Sequence, residues 1–329
     1  MMRTTKISSP IPWIGGKHAL AKWIISHFPE HHCYVEVFGG GASVLLQKPP
    51  SKVEVYNDKY VEVVNFFLIL RDKPWQLVAA IKWLPNSRFL YEKWLNEWRS
   101  GEAPKDPVLR AAVWFYLQRH SFSGNFGGGW GHGKTKSPPN WNNIIENLIL
   151  VAERLQKVQI ECRDFREIIE TYDSPNTLFY CDPPYIEKES YYQVSFTMKD
   201  HKDLAKLLNN ISGKACVSYY PHPFINEHYK GWHYCIKQTY AYSTGITRFN
   251  RAIKRGKRIE LLLMNYDPPN NECCMAVKSR HKPDSAPPDA DQTCSRNLTA
   301  NITILLITIK TYDTLHCFHF LFAFWSVKS

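Results

Sequence analysis

Cys33-Tyr34-Val35-Glu36-Val37-Phe38-Gly39-Gly40-Gly41-Ala42-Ser43 is the stretch on which the fold turns. Cys33–Phe38 is short, apolar and β-branched, as a buried strand requires. Three glycines end it, and Ala42–Gln47 has the composition of a following helix. The alternating run Lys52–Asp58 then reads as a second strand, and Val61–Leu70 as a second helix. Strand, glycine turn, helix, strand is the opening of a doubly wound α/β sheet. Upstream, Pro12-Trp13-Ile14-Gly15-Gly16-Lys17 leads into a helix with Leu20, Ile24 and Phe28 at helical spacing.

Downstream the texture changes. From Pro74 to Lys157 there is no β/α alternation. Trp75–Leu84, Phe89–Trp98, Pro107–Arg119 and Asn140–Lys157 all read as helices, with a glycine-rich loop before the last. Alternation resumes with Val158–Cys162, a helix near Phe165–Glu170, and Thr177–Cys181 running into Asp182-Pro183-Pro184-Tyr185. A helix at His201–Asn209 and strands at Lys214–Ser218, His233–Tyr240 and Arg258–Tyr266 complete the sheet. The expected organisation is a core in two parts, 1–73 and 158–270, an inserted helical subdomain at 74–157, and an extra tail at 271–329 outside the catalytic fold.

The chain has 329 residues, 44% hydrophobic and 22% charged, which excludes an intrinsically disordered protein. No apolar stretch is long enough to span a membrane, and no apolar segment follows the charged N-terminus as in a secretory signal. A cytoplasmic protein is expected, with its nine cysteines reduced. No zinc-like Cys/His spacing occurs, so no metal is expected. The net charge is +11. Residues from Asn271 onward hold six Lys/Arg and five Asp/Glu, so +10 of it lies in the body, as a polyanionic partner would favour.

Asp182–Tyr185 closes a strand and carries the strongest chemical signal. An exocyclic amine on a nucleobase is a poor nucleophile because its lone pair is delocalised into the ring. Activating it needs acceptors for both N–H groups. The Asp182 carboxylate and the Pro183 carbonyl are two such acceptors, Pro183 and Pro184 stiffen the backbone, and Tyr185 offers a ring for stacking. A bare DPP also arises without function, as at Asp267-Pro268-Pro269. The triple glycine alone is equally what an ordinary tight turn contains. With Asp58, 19 residues after Gly39 at the end of the second strand, it fits the acid that grips ribose hydroxyls. There is no Walker motif, and the acidic pair suits a sulfonium better than a polyphosphate.

Taken in order, Pro12–Lys17, Val35–Ser43, Asn57-Asp58 and Leu178–Tyr185 resemble the Dam-like family of DNA adenine-N6 methyltransferases. Val217–Tyr220 and Arg258–Tyr266 add to the likeness, which covers roughly residues 10–266. The resemblance implies a Rossmann-like S-adenosylmethionine domain with an inserted target-recognition domain, acting on double-stranded DNA by base flipping. It implies cofactor contacts at Trp13, Lys17, Asp58 and Asp182, with Glu36, Phe38, Gly39 and Gly41 beside them, and catalysis at Asp182–Tyr185. Around the glycine loop of the insertion, Arg119, Lys134 and Lys136 are the candidate DNA contacts, with His120 nearby and Trp130 at the tip. A cognate restriction endonuclease is a compatible partner. The competing readings are amine methylation of cytosine N4 or of another amide or amine, and a catalytically inactive DNA-binding relic.

Overall fold

A computed structural model describes residues 7–132, 140–240, 257–269 and 274–276. In chain order the strands are β1 (Cys33–Glu36), β2 (Val53–Asn57), β3 (Val158–Glu161), β4 (Thr177–Cys181), β5 (Lys214–Tyr219), β6 (His233–Tyr240), β7 (Lys257–Met264) and β8 (Cys274–Ala276). They form one sheet in the order β3-β2-β1-β4-β5-β7-β6-β8. The first five run parallel, β7 is antiparallel to β5 and β6, and β8 is antiparallel to β6. The order reverses between β1 and β4, so a crevice opens beyond their carboxyl ends, where open α/β sheets bind ligands.

The helices are α1 (Ala21–Ile25), α2 (Val61–Asp72), α3 (Pro74–Ile81), α4 (Arg88–Arg99), α5 (Pro107–His120), α6 (Trp141–Leu155), α7 (Phe165–Tyr172), α8 (Met198–Leu208) and α9 (Pro223–His228). Strand alternation sorts the core into two layers. Tyr34, Tyr56, Leu178 and Tyr180 face one side, with Val63, Phe66, Trp114, Phe115, Leu148 and Val151 of the helices. Val35, Val55, Phe179 and Cys181 face the other, against Phe165, Ile168, Leu204 and Leu208. β4 is buried at every position, as a central parallel strand must be.

Among the described residues between Pro74 and Lys157 the regular elements are chiefly the helices α3 to α6, and α5 and α6 share the first layer with the sheet instead of enclosing a separate core. α5 starts on Asp106, whose side chain accepts from Leu109 N, with Pro107 in its first turn. It is buried at nearly every position from Ala111 to His120, because α2, α3 and α4 all pack on it. Only a small cluster of Tyr91, Leu95, Val113, Tyr116 and Leu117 belongs to the insertion alone.

Three features depart from the sequence reading. Ala42–Gln47 forms turns and not a helix. The reason is local: Leu45 N donates to the Glu36 carboxylate at 2.8 Å, a bond that takes it out of a helical ladder, and Ala42 has φ +53°. The sheet continues past Asn270, where β8 pairs with β6. Cys235 is disulfide-bonded and not the reduced thiol expected. Among the described residues no helix is long and apolar enough to cross a membrane, and no cluster of metal-binding side chains occurs.

Candidate active site

The crevice beyond β1 and β4 is lined by Trp13, Lys17, Glu36, Phe38, Gly39, Gly41, Asp58, Asp182 and Pro184, so the topology gathers all eight residues expected as cofactor contacts. About 980 Å³ of non-atom space, open solvent included, lies within it.

The glycine turn is built for close approach. A Cβ at Gly39 would lie 2.1 Å from the Tyr56 ring, and one at Gly40 (φ +44°) 2.4 Å from Trp13 Nε1. The Tyr56 hydroxyl donates to Gly40 O, and Gly39 N donates to Asn57 O. Trp13 therefore lies on the turn, and β2 braces it from behind. Asp58 accepts from Gly40 N and from Tyr60 N, each at 2.8 Å. It thus fixes both the turn and the entry into α2. Burial holds its carboxyl above the usual range, against the pull of those two N–H groups.

Beyond β4, Lys17 Nζ is 2.8 Å from Asp182 Oδ1 and donates to Gly15 O at 2.9 Å. Lys17 is 5% exposed. Burial disfavours its charge, but Asp182 and then Glu260 more than offset this, so the amine lies above its ordinary value. Burial raises the Asp182 carboxyl, with Lys17 opposing. Glu36 is buried at the end of β1, where Oε2 accepts from Tyr34 Oη at 2.7 Å and from Leu45 N; burial pushes its carboxyl up to about 8.

Tyr185 departs from the expected stacking platform. It is 5% exposed, its hydroxyl donates to Glu260, Lys17 Nζ lies 4.9 Å from its ring centroid, and Tyr220 meets it edge-on at 4.4 Å. The neighbours of Asp182 that line the crevice are instead Pro184 and Tyr192. Of the proposed DNA contacts, Arg119 is turned inward, where Nη1 donates to Pro10 O at 2.5 Å and burial lowers its guanidinium to about 10. Lys134 and Lys136 lie outside the described residues. Trp130 is not a free tip: the Ser121–Trp130 bridge holds it, and it stacks on His120 at 5.0 Å. The exposed aromatic of this loop is Phe122, 52% exposed.

Sequence reading missed four residues. Phe165 and Phe196 join Phe38 in an aromatic group with centroids 5.6–5.7 Å apart on the crevice wall. Tyr192 lines the same crevice as Lys17 and Asp182, and burial raises its hydroxyl, with Asp182 adding to the rise. Glu260 of β7 completes the cluster behind Lys17, and its one signal is a carboxylate between the apolar residues Ile259 and Leu261–Met264.

A family model described as "D12 class N6 adenine-specific DNA methyltransferase" matches residues 13–243. The chain is 26% identical over 219 residues to a DNA adenine methylase of Escherichia coli K12, covering 61% of this chain and 75% of that protein. It is 26% identical over 279 residues to a type II methyltransferase of Lactococcus lactis subsp. cremoris, covering 77% and 94%. A type II methyltransferase of Methanocaldococcus jannaschii is 25% identical over 291 residues, covering 78% and 98%.

Proposed function

The chain belongs to the D12 class of N6 adenine-specific DNA methyltransferases, and from that premise we propose how its own residues bind the methyl donor and the target base. The observation that carries the reading is the Lys17–Asp182 pair, held at the end of β4 and opening onto a glycine-walled crevice.

The crevice suits S-adenosylmethionine. A side chain at Gly39 or Gly40 would collide with Tyr56 or Trp13, so the wall is bare backbone where a cofactor lies close. Phe38, Phe165 and Phe196 offer ring faces for an adenine. Asp58 keeps accepting capacity for ribose hydroxyls beyond its two backbone donors. Glu36 and Asp182 supply carboxyl groups around a cation. Bound there, the cofactor supplies an electrophilic methyl group.

The target adenine leaves the DNA duplex and enters beside Asp182 and Pro184, because N6 is otherwise shielded in the stack. Lys17 faces Oδ1 of Asp182, and the carboxylate retains lone pairs to accept one N6–H. The Pro183 carbonyl accepts the other. Two acceptors draw the nitrogen toward a tetrahedral, nucleophilic state, so catalysis here is mainly positioning. Tyr185 braces this corner from behind and does not stack the base in this conformation. The positive body of the chain meets the phosphates, with Lys134 and Lys136 in the contact set. The type II names of two relatives support a restriction-modification setting, with a cognate endonuclease as partner.

Transfer of a radiolabelled methyl group from S-adenosylmethionine to DNA tests the reading. Wild type should label DNA at adenine N6, and Asp182→Ala should lose at least about 10³ in rate, the scale of a removed transition-state acceptor. It should keep DNA affinity. Near-normal turnover by the variant would overturn the assignment of Asp182.

A further inference from the structure

Glu260 lies within β7 and is followed by four buried apolar residues, Leu261–Met264. At 3% exposure a carboxylate is costly unless it is paired and hydrogen-bonded. Its partners are the Tyr185 hydroxyl, which donates to Oε1, and Lys17 Nζ at 3.5 Å. The same ammonium lies 2.8 Å from Asp182. One cation therefore serves two carboxyl groups, and with both ionised the corner holds one negative charge in excess. A smaller apolar residue at 260 would satisfy the strand, so β7 itself does not call for the charge.

We propose that Glu260 is a positioning residue: it holds Lys17 beside Asp182 without letting Lys17 neutralise the corner, and the surplus charge favours a sulfonium methyl donor over its neutral thioether product. The inference rests on the cofactor reading above. Glu260 sits behind Lys17 and Tyr185, outside the crevice lining, and acts through them. Inside a poorly solvated pocket, one charge acts over several ångströms with little screening. After transfer the sulfur is neutral and that attraction is gone, so the same charge that aids donor binding does nothing to retain the product.

The test compares the dissociation constants of S-adenosylmethionine and S-adenosylhomocysteine by calorimetric titration of the full chain. Glu260→Gln keeps the shape and an acceptor for Tyr185 and removes only the charge. It should raise the ratio of the two constants, donor over product, by about fivefold or more. A packing role alone would weaken both ligands together, so an unchanged ratio overturns the proposal. Glu260→Asp keeps the charge and should hold the ratio within about twofold of wild type, whatever it does to overall affinity. This variant carries the test if the Gln protein does not fold, and a ratio that shifts with Asp also overturns the proposal. Wild type binding neither ligand would instead sink the cofactor reading itself.

Discussion

At neutral pH the Glu36 carboxyl keeps its proton, because burial at the end of β1 raises it to about 8. Tyr34 and Leu45 both donate to Oε2, which leaves Oε1 as the oxygen to carry that proton. Between the ordinary value of 4.5 and 8, the folded protein holds a proton that the unfolded chain releases, so stability falls as pH rises through that window. Gln in place of Glu36 mimics the protonated acid. Glu36→Gln should therefore melt at a higher temperature than wild type at pH 8, and the gap should close toward pH 5. Thermal unfolding across that range checks it, and a constant gap would mean that Glu36 does not titrate there. The place of Glu36 in the crevice wall was legible from its position before the glycines. Its link to Leu45, and hence the turn after Gly41, was not, since no propensity encodes an N–H donating to a carboxyl group nine residues upstream.

Turns, not helices, carry the site at the scale of elements. The glycine turn is pressed between Trp13 and Tyr56, which come from separate stretches of sequence. Gly39→Ala would push a methyl group into the Tyr56 ring and should cost about 2–3 kcal/mol of stability. Asp58 is tied to the neighbouring Gly40, so cofactor affinity should fall as well. Denaturant unfolding and calorimetry measure the two losses, and an alanine variant with both unchanged would show that the turn relaxes freely. The strands and the helices flanking them were legible because their apolar periodicity is strong. α9 and β8 were not, being six and three residues long and set by contacts with distant parts of the sheet.

On the scale of the whole molecule, the Asp182–Tyr185 corner lies at the β1/β4 switch, with β5, β7 and β6 between it and β8. Ending the chain at Asn270 removes β8 and bares the edge of β6, a place where sheets aggregate. We propose that everything after Asn270 is dispensable for methyl transfer, at a cost in stability of about 1 kcal/mol, or roughly 2–4 °C. Methylation assays and melting curves on a chain ending at Asn270, beside one ending at Ser279, separate the two effects. A folded but inactive shorter chain would place the tail in the functional fold.

The sequence by itself determined the doubly wound sheet, the glycine turn, Asp58 and the Asp182–Tyr185 corner, because strand period, backbone freedom and proline stiffness are properties of neighbouring residues. Only the tertiary structure decided that Arg119 turns inward, that Tyr185 is covered, and that Glu260 shares Lys17 with Asp182. Each of those depends on a partner far along the chain: Pro10 is 109 residues from Arg119, and Tyr185 is 75 residues from Glu260. Such contacts are fixed by which distant segments the tertiary fold brings together, and a buried charge acquires its role only from what the fold places beside it.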